Sequence, residues 1–288
     1  MKGAFMEFKG KTAVVTGSSG GIGRGIAIAL AKEGVDIVLA SRNVSNMEAV
    51  KKEIETLGRK AIIIQCDCAN DESVVTMKDK AIKAFGNIDI LINNAGVGVR
   101  GLLENVKLED WKFIINTNLL GYIRVLTAFL PHFMKRKSGY IVNVSSIQAL
   151  AYGSEPLNIP YITTKAGILG LTDCISAYLR PMGIIVSCLI PGAVKTEISH
   201  NSRFVGSEEQ KKQMWDEAEK FWNLPIFLSP EQCAEGLLAG MKKEQYLILT
   251  PENMGQMIKA QGRDVDALNA WVANPPPPRM PPMMPPKQ

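Results

Sequence analysis

Between Thr12 and Leu249, short runs of aliphatic and β-branched residues alternate with longer stretches of helical period, and few folds accommodate that rhythm. The short runs are Thr12–Thr16, Asp36–Ala40, Ala61–Cys66, Ile88–Asn93, Tyr140–Ser145, Ile184–Ile190 and Tyr246–Leu249. Most are apolar without interruption, the pattern of strands covered on both faces of a parallel sheet. Ile22–Glu33, Asn46–Leu57, Glu72–Phe85, Glu109–Lys135, Ile162–Leu179 and Glu231–Met241 read as helices. Strand–helix–strand units cross over right-handed, so the expected class is α/β: a doubly wound, mostly parallel, seven-stranded sheet with helices on both faces. Ser207 with Gln210 and Ser229 with Gln232 form capping boxes, the second with Pro230 at the first helical position. Lys135, Arg136 and Lys137 suit a helix C-terminus, where Gly139 can supply the cap.

Two regions break the alternation. Residues 195–228 insert an excursion rich in Phe204, Met214, Trp215, Phe221, Trp222 and Phe227. Residues 274–288 form a proline-rich tail that can build neither helix nor ladder and is expected to be extended. A passive tail, a brace on a neighbouring subunit and a PxxP ligand are the open readings of it. Residues 1–273 then read as one domain, within the length a single domain reaches.

Of the 288 residues, 46% are hydrophobic and 21% charged, which excludes a disordered chain. The net charge of +5 comes from lysine pairs scattered among acids, with no basic stripe interleaved with aromatics, and argues against a nucleic-acid partner. No apolar run reaches the roughly 18 residues of a membrane span. The opening MKGAFMEFKGK lacks the apolar core of a signal peptide. Five cysteines in unpaired spacing argue against a disulfide framework, so a reduced, cytoplasmic protein is expected. Cys66 and Cys68 share a strand face, yet His132 and His200 are the only histidines; packed thiols, and no metal site, are expected.

Thr16-Gly17-Ser18-Ser19-Gly20-Gly21-Ile22-Gly23 follows the first strand and runs directly into a helix. Glycines at such a turn bring backbone amides close to a pyrophosphate at the positive helix end. The spacing of Gly17, Gly21 and Gly23 is G-x-x-x-G-x-G. In this form the loop resembles that of the short-chain dehydrogenase/reductase family. The resemblance continues through Asn93-Asn94-Ala95-Gly96, Asn118, Ser146, the Tyr161-x-x-x-Lys165 pair and Pro191-Gly192, in the family's order, across about residues 8–250. The implied fold is Rossmann-like and the implied cofactor a nicotinamide dinucleotide, with Ser19 and Ile22 in the phosphate turn.

The end of the second strand bears on which nicotinamide cofactor is used. An acid there would bind the adenosine 2′-hydroxyl and repel a 2′-phosphate. This chain has Ser41-Arg42-Asn43, with no acid until Glu48. The Arg42 guanidinium can pair with phosphate and stack on adenine, and Ser41 can donate a hydrogen bond. NADP(H) is therefore favoured, with NAD(H) the alternative. Asp67 resembles the family's adenine-binding aspartate and Cys68 flanks it. By the same resemblance Asn94, Ala95 and Gly96 line the cofactor cleft, and Pro191, Gly192, Val194 and Thr196 fix the carboxamide.

Carbonyl–alcohol interconversion needs a proton donor or acceptor at the oxygen. Tyr161 and Lys165 stand at i and i+4 on one helix face, so the ammonium can lower the phenol's pKa. Ser146, at the carboxyl end of a strand, is the candidate for orienting the substrate oxygen, with Ser145 one residue away as the alternative. The resemblance implies that Lys165 holds the nicotinamide ribose and that the backbone of Asn118 holds a water in the proton relay. The expected activity is NADP-dependent interconversion of a carbonyl and a secondary alcohol. Ile198, Phe204, Val205, Met214, Trp215, Phe221 and Trp222, with Val97–Leu103 and the loop from Ser146 to Tyr161, are expected to wall a lipophilic substrate site. A steroid, terpenoid or long-chain compound fits that reading; half of these aromatics packing onto the core is its counterpart. A 3-oxoacyl thioester reductase, an NAD-linked alcohol dehydrogenase and a non-catalytic scaffold recruiting partners through the tail are the rivals. The two long helices, Glu109–Lys135 and Ile162–Leu179, would pair copies into a homodimer or homotetramer by the family's habit.

Overall fold

The computed structural model describes residues 7–150, 156–222 and 227–255. Its centre is β1 (Thr12–Thr16), which pairs in parallel with β2 (Asp36–Ser41) on one side and β4 (Ile90–Asn93) on the other. With β3 (Ala61–Gln65), β6 (Gly139–Val144), β7 (Ile184–Pro191) and β9 (Leu247–Thr250), the sheet order is β3-β2-β1-β4-β6-β7-β9. All seven strands run parallel. Side chains alternate across such a sheet. Ala13 and Val15 enter the layer under α1 (Gly21–Lys32), α2 (Val44–Thr56) and α8 (Pro230–Lys242), with Ile26, Leu30, Met47, Ile54 and Leu237. Val14 enters the opposite layer with Met77 of α3 (Asp71–Phe85), and with Phe129 and Phe133. The strand order reverses between β1 and β4, and the crevice at their carboxyl ends is where sheets of this kind hold ligands.

The expected helix Glu109–Lys135 is interrupted. It consists of α4 (Leu108–Ile114), a π turn at Ile115–Leu120, and α5 (Gly121–Arg136). By length and composition this stretch could cross a membrane. In the fold its inner face, Tyr122, Val125, Leu126, Phe129 and Phe133, is buried against the sheet. The C-terminal cap also differs from expectation. Lys137, at φ 51°, takes the left-handed position, whereas Gly139 begins β6 because a Cβ there would lie 2.2 Å from the Phe133 ring. Both expected capping boxes form: Ser207 with Gln210 starts α7 (Glu208–Trp222), and Ser229 with Gln232 starts α8. Two short strands escape the sequence pattern, β5 (Val99–Arg100) and β8 (Arg203–Phe204), which pair and tie the excursion to the end of the sheet. The catalytic-side helix α6 spans Ile159–Leu179. The proline-rich tail lies outside the described residues.

Candidate active site

Every cofactor-binding and catalytic residue singled out from the sequence except Gly23 and Asn118 lines one continuous cleft of about 1610 Å³ at the carboxyl ends of the strands. The phosphate end is built on β1. Gly17 N donates to Ala40 O at 2.8 Å, which turns the chain sharply at φ 66°. Gly23 faces inward: a Cβ there would lie 2.3 Å from Gly17 O and 2.5 Å from Asn94 Nδ2. It brings helix and loop together and leaves the ligand side to its neighbours. The first turn of α1 carries no acid and no side-chain cap, so its amides stay available to an anion. Gly20 has nothing within 4 Å of the position a Cβ would take. The site thus fits a dinucleotide phosphate.

Thr16, which the sequence reading passed over as a strand residue, organises the next strand end. Its hydroxyl donates to Ile92 O at 3.1 Å and accepts from Asn94 N at 2.9 Å and Ala95 N at 3.2 Å. Asn94 Nδ2 returns the contact to Thr16 O at 2.9 Å. At the end of β2, Ser41 Oγ meets Ser19 Oγ at 2.9 Å, so the two loops share one polar floor. Arg42 is exposed beside them, and no ion pair among the described residues holds its guanidinium. Asp67 turns one carboxylate oxygen onto Ala69 N at 2.9 Å, within the loop that lines this end. Cys66 and Cys68 are both buried here; the paired thiols and burial push Cys68 well above the usual thiol range. All five cysteines are free thiols. Among the described residues no group of three or more His, Cys, Asp or Glu could hold a metal ion.

At the other end the two serines separate by role. Ser145 Oγ donates to Lys165 O at 2.7 Å and is committed to the backbone. Ser146 Oγ accepts from Gln148 N at 3.2 Å and lines the cleft with Tyr161, whose pKa it draws down. Lys165 is buried, its Nζ donating to Val144 O at 2.8 Å and lying 5.6 Å from the centre of the Tyr161 ring. The i, i+4 spacing predicts that the ammonium draws the phenol's pKa down, but burial prevails. It pushes Tyr161 up to about 12, against which only Ser146 pulls, and it pushes Lys165 down to about 8. Tyr161 is therefore a protonated phenol at neutral pH, poised to donate.

Asn118 does not touch the cleft. From the π turn its amide brackets Val97, donating to the carbonyl at 2.9 Å and accepting from the amide at 2.8 Å, and it donates to Thr164 Oγ1 at 3.1 Å. The side chain thus clamps the Gly96–Val97 loop to the helix bearing Tyr161 and Lys165. π turns recur at functional sites because the extra residue re-aims side chains in this way.

The excursion closes the cleft only in part as expected. Ile198 and Phe204 face it, with Glu217 and Ala218 of α7. Trp215 instead packs edge-on between Phe204 and His200, with ring centres 5.4 and 5.1 Å away, and Met214 is buried. Val205 packs on Val97, Val99 and Ile114. Phe221 and Trp222 have side chains outside the described residues. Of Val97–Leu103, only Val97–Arg100 line the cleft; Leu102 and Leu103 are exposed. The walls mix apolar groups with Gln148, Asn158, His200 and Glu217.

Comparison with known proteins agrees with this geometry. The family model described as short chain dehydrogenase matches residues 11–204. The 3-oxoacyl-acyl-carrier-protein reductase FabG of Staphylococcus epidermidis is 35% identical over 208 residues, 72% of this chain and 83% of that protein. Glucose 1-dehydrogenase 2 of Bacillus subtilis is 32% identical over 233 residues, 80% of this chain and 87% of that one. Among solved structures, a short chain dehydrogenase/reductase from Burkholderia phymatum in complex with NAD has a TM-score of 0.80 at 26% identity, covering 96% of this chain and 99% of its own. An alcohol dehydrogenase from Thermococcus sibiricus complexed with 5-hydroxy-NADP has a TM-score of 0.68 at 28% identity, with coverages of 83% and 94%. A glycine turn on β1, a tyrosine and lysine one turn apart on α6, and a match spanning most of the sheet all converge: the chain belongs to the short-chain dehydrogenase family of NAD(P)-binding oxidoreductases.

Proposed function

We propose that the protein is an NADP(H)-dependent carbonyl reductase, working reversibly on the corresponding secondary alcohol. The observation that carries this reading is that Ser146, Tyr161 and Lys165 line the same cleft as the glycine turn. NADPH, bound along Gly17–Ile22, Ser41, Arg42, Asp67 and Asn94–Gly96, with Pro191, Gly192, Val194 and Thr196 at its nicotinamide end, would supply hydride. Tyr161 gives its proton to the substrate oxygen, and Ser146 orients that oxygen and stabilises the charge developing on it. Lys165 holds the ribose and returns a proton to the phenol, and Asn118 fixes the loop and helix between which this transfer runs. Such a set has no use in a non-catalytic scaffold.

Arg42 supports the 2′-phosphate form of the cofactor, since a guanidinium with no ion-pair partner among the described residues is placed to take a phosphate. Arg42→Ser is expected to weaken NADPH binding by roughly 10-fold, the lower end for a charge-assisted hydrogen bond at an exposed site, and to leave NADH binding unchanged. Fluorescence titration of both cofactors checks this; equal effects on the two would assign Arg42 no part in selecting the phosphate.

The reaction's pH profile follows from Lys165. Its ammonium is protonated below about 8 and lost above it, whereas Tyr161 keeps its proton to about 12. Turnover in the reducing direction is therefore expected to fall about tenfold per pH unit above pH 8, the slope for loss of one proton. A rate that stays flat to pH 10 would remove Lys165 from the proton path.

The substrate is read as a bulky carbonyl compound whose apolar part lies against Val97, Val99, Ile147, Ile198 and Phe204, as in a steroid, terpenoid or long-chain ketone. The FabG relatives and the polar groups of the same walls favour a second reading, a 3-oxoacyl thioester. Assay of NADPH oxidation with cyclic ketones, long-chain ketones and 3-oxoacyl thioesters separates the two. Turnover of none of them would end the reductase proposal. Residues 195–228 act as a lid on the single catalytic domain in this account. The exposed Leu120, Met134 and Tyr178 on the two long helices support assembly as a homodimer or homotetramer.

A further inference from the structure

The adenine end of the cleft is shaped by a loop, Cys66–Asn70, that has little regular structure of its own. Its fixed points lie on another element. Arg124, on α5, donates from Nη1 to Cys68 O at 3.4 Å and is ion-paired through Nε to Asp71, the first residue of α3. The same guanidinium grips the π turn, Nη1 on Asn116 O at 2.9 Å and Nη2 on Asn116 Oδ1 at 2.6 Å. Asn116 Nδ2 in turn donates to Ala69 O at 3.3 Å. Two consecutive loop carbonyls, Cys68 and Ala69, are thereby tied to one arginine–asparagine pair, and Gly121 brings α5 within contact of Cys68. Asn116 itself belongs to the π segment. Two residues later on that turn, Asn118 holds Val97 and Thr164. One turn therefore mounts both ends of the cleft.

We propose that Arg124, acting with Asn116, is a positioning residue for cofactor binding: it holds the Cys68–Ala69 loop in the form that receives the adenosine half of the dinucleotide. The inference deepens the cofactor reading given above and rests on it. A guanidinium is required because it must serve two backbone carbonyls, an amide oxygen and a carboxylate at once, which the three donors of a lysine on a flexible stem do not span.

Arg124→Lys, Arg124→Met and Asn116→Ser are to be compared with the wild type by titration of adenosine 2′,5′-bisphosphate, by NADPH kinetics and by thermal melting. In each variant that melts cooperatively, the Kd of the bisphosphate and the KM for NADPH are expected to rise together, about tenfold for the arginine variants and several-fold for Asn116→Ser. The kcat at saturating NADPH should stay within twofold. Lowered melting temperature with unchanged bisphosphate affinity would make Arg124 a structural brace only and overturn the proposal, as would a fall in kcat at constant KM. If the arginine variants do not fold, Asn116→Ser decides alone by the same criteria. Failure of the cofactor reading is distinguishable: there the wild type itself would bind neither the bisphosphate nor NADPH.

Discussion

A Gly23→Ala protein is expected to bind NADPH roughly 10- to 100-fold more weakly than the wild type, the consequence of an overpacking cost of about 1–3 kcal/mol placed inside the phosphate turn. The added methyl would meet Gly17 O at 2.3 Å and Asn94 Nδ2 at 2.5 Å, and neither can move freely. Gly17 is held by Ala40 O, and Asn94 by the backbone of Thr16. Relief must come from α1 swinging away from the turn, which separates the helix amides from the phosphate they are to meet. Gly23 does not line the cleft, so the loss is one of loop shape and not of a contact to the ligand. Titration of NADPH against folded Gly23→Ala measures it. Affinity within threefold of the wild type would mean that the turn is not what binds the phosphates.

Most of the sheet was legible from the chain because its signals are local. Thr12–Thr16, Asp36–Ala40 and Ile184–Ile190 are short, apolar and bounded, and each became a strand within a residue of its expected limits. The π turn was not legible. Ile115-Asn116-Thr117-Asn118-Leu119-Leu120 has the composition of an ordinary helix, and the reach of Asn118 to Val97 is a tertiary contact that spacing does not reveal. Strands β5 and β8 are two residues each and pair across a long stretch of chain, too short for periodicity to register. Gly139 was an ordinary choice for a helix cap, but the packing of Phe133 needs it elsewhere and leaves Lys137 in the left-handed position.

The site divides along the same line. Ordered motifs located the glycine turn, the serine, and the tyrosine–lysine pair, since each depends on spacing along the chain. Thr16, Arg124 and Asn116 could not be picked out, because a threonine ending a strand or an arginine on a helix carries no mark of its distant partners. The choice between Ser145 and Ser146 turned on hydroxyl direction, with the first taken by Lys165 O and the second facing Tyr161. The sign of the electrostatics was also hidden. Spacing placed Lys165 near Tyr161, but burial of both decides their pKa values, raising the phenol and lowering the ammonium.

That protonated phenol is the centre of the account. With Tyr161 held up at about 12, the phenol keeps its proton at neutral pH, while the neighbouring Lys165 turns its Nζ to Val144 O. Tyr161→Phe removes the hydroxyl and keeps the ring, so the packing of α6 on the cleft floor survives. Loss of a positioned acid lowers a rate by roughly 10²- to 10⁴-fold, and an effect near 10³-fold is expected here. The deciding measurement takes one preparation of Tyr161→Phe and determines both its NADPH dissociation constant and its rate of NADPH oxidation with the best ketone or thioester substrate. The expected result is a dissociation constant within threefold of the wild type and a rate lower by about three orders of magnitude. A variant that binds NADPH normally and still reduces the substrate at a wild-type rate would contradict it.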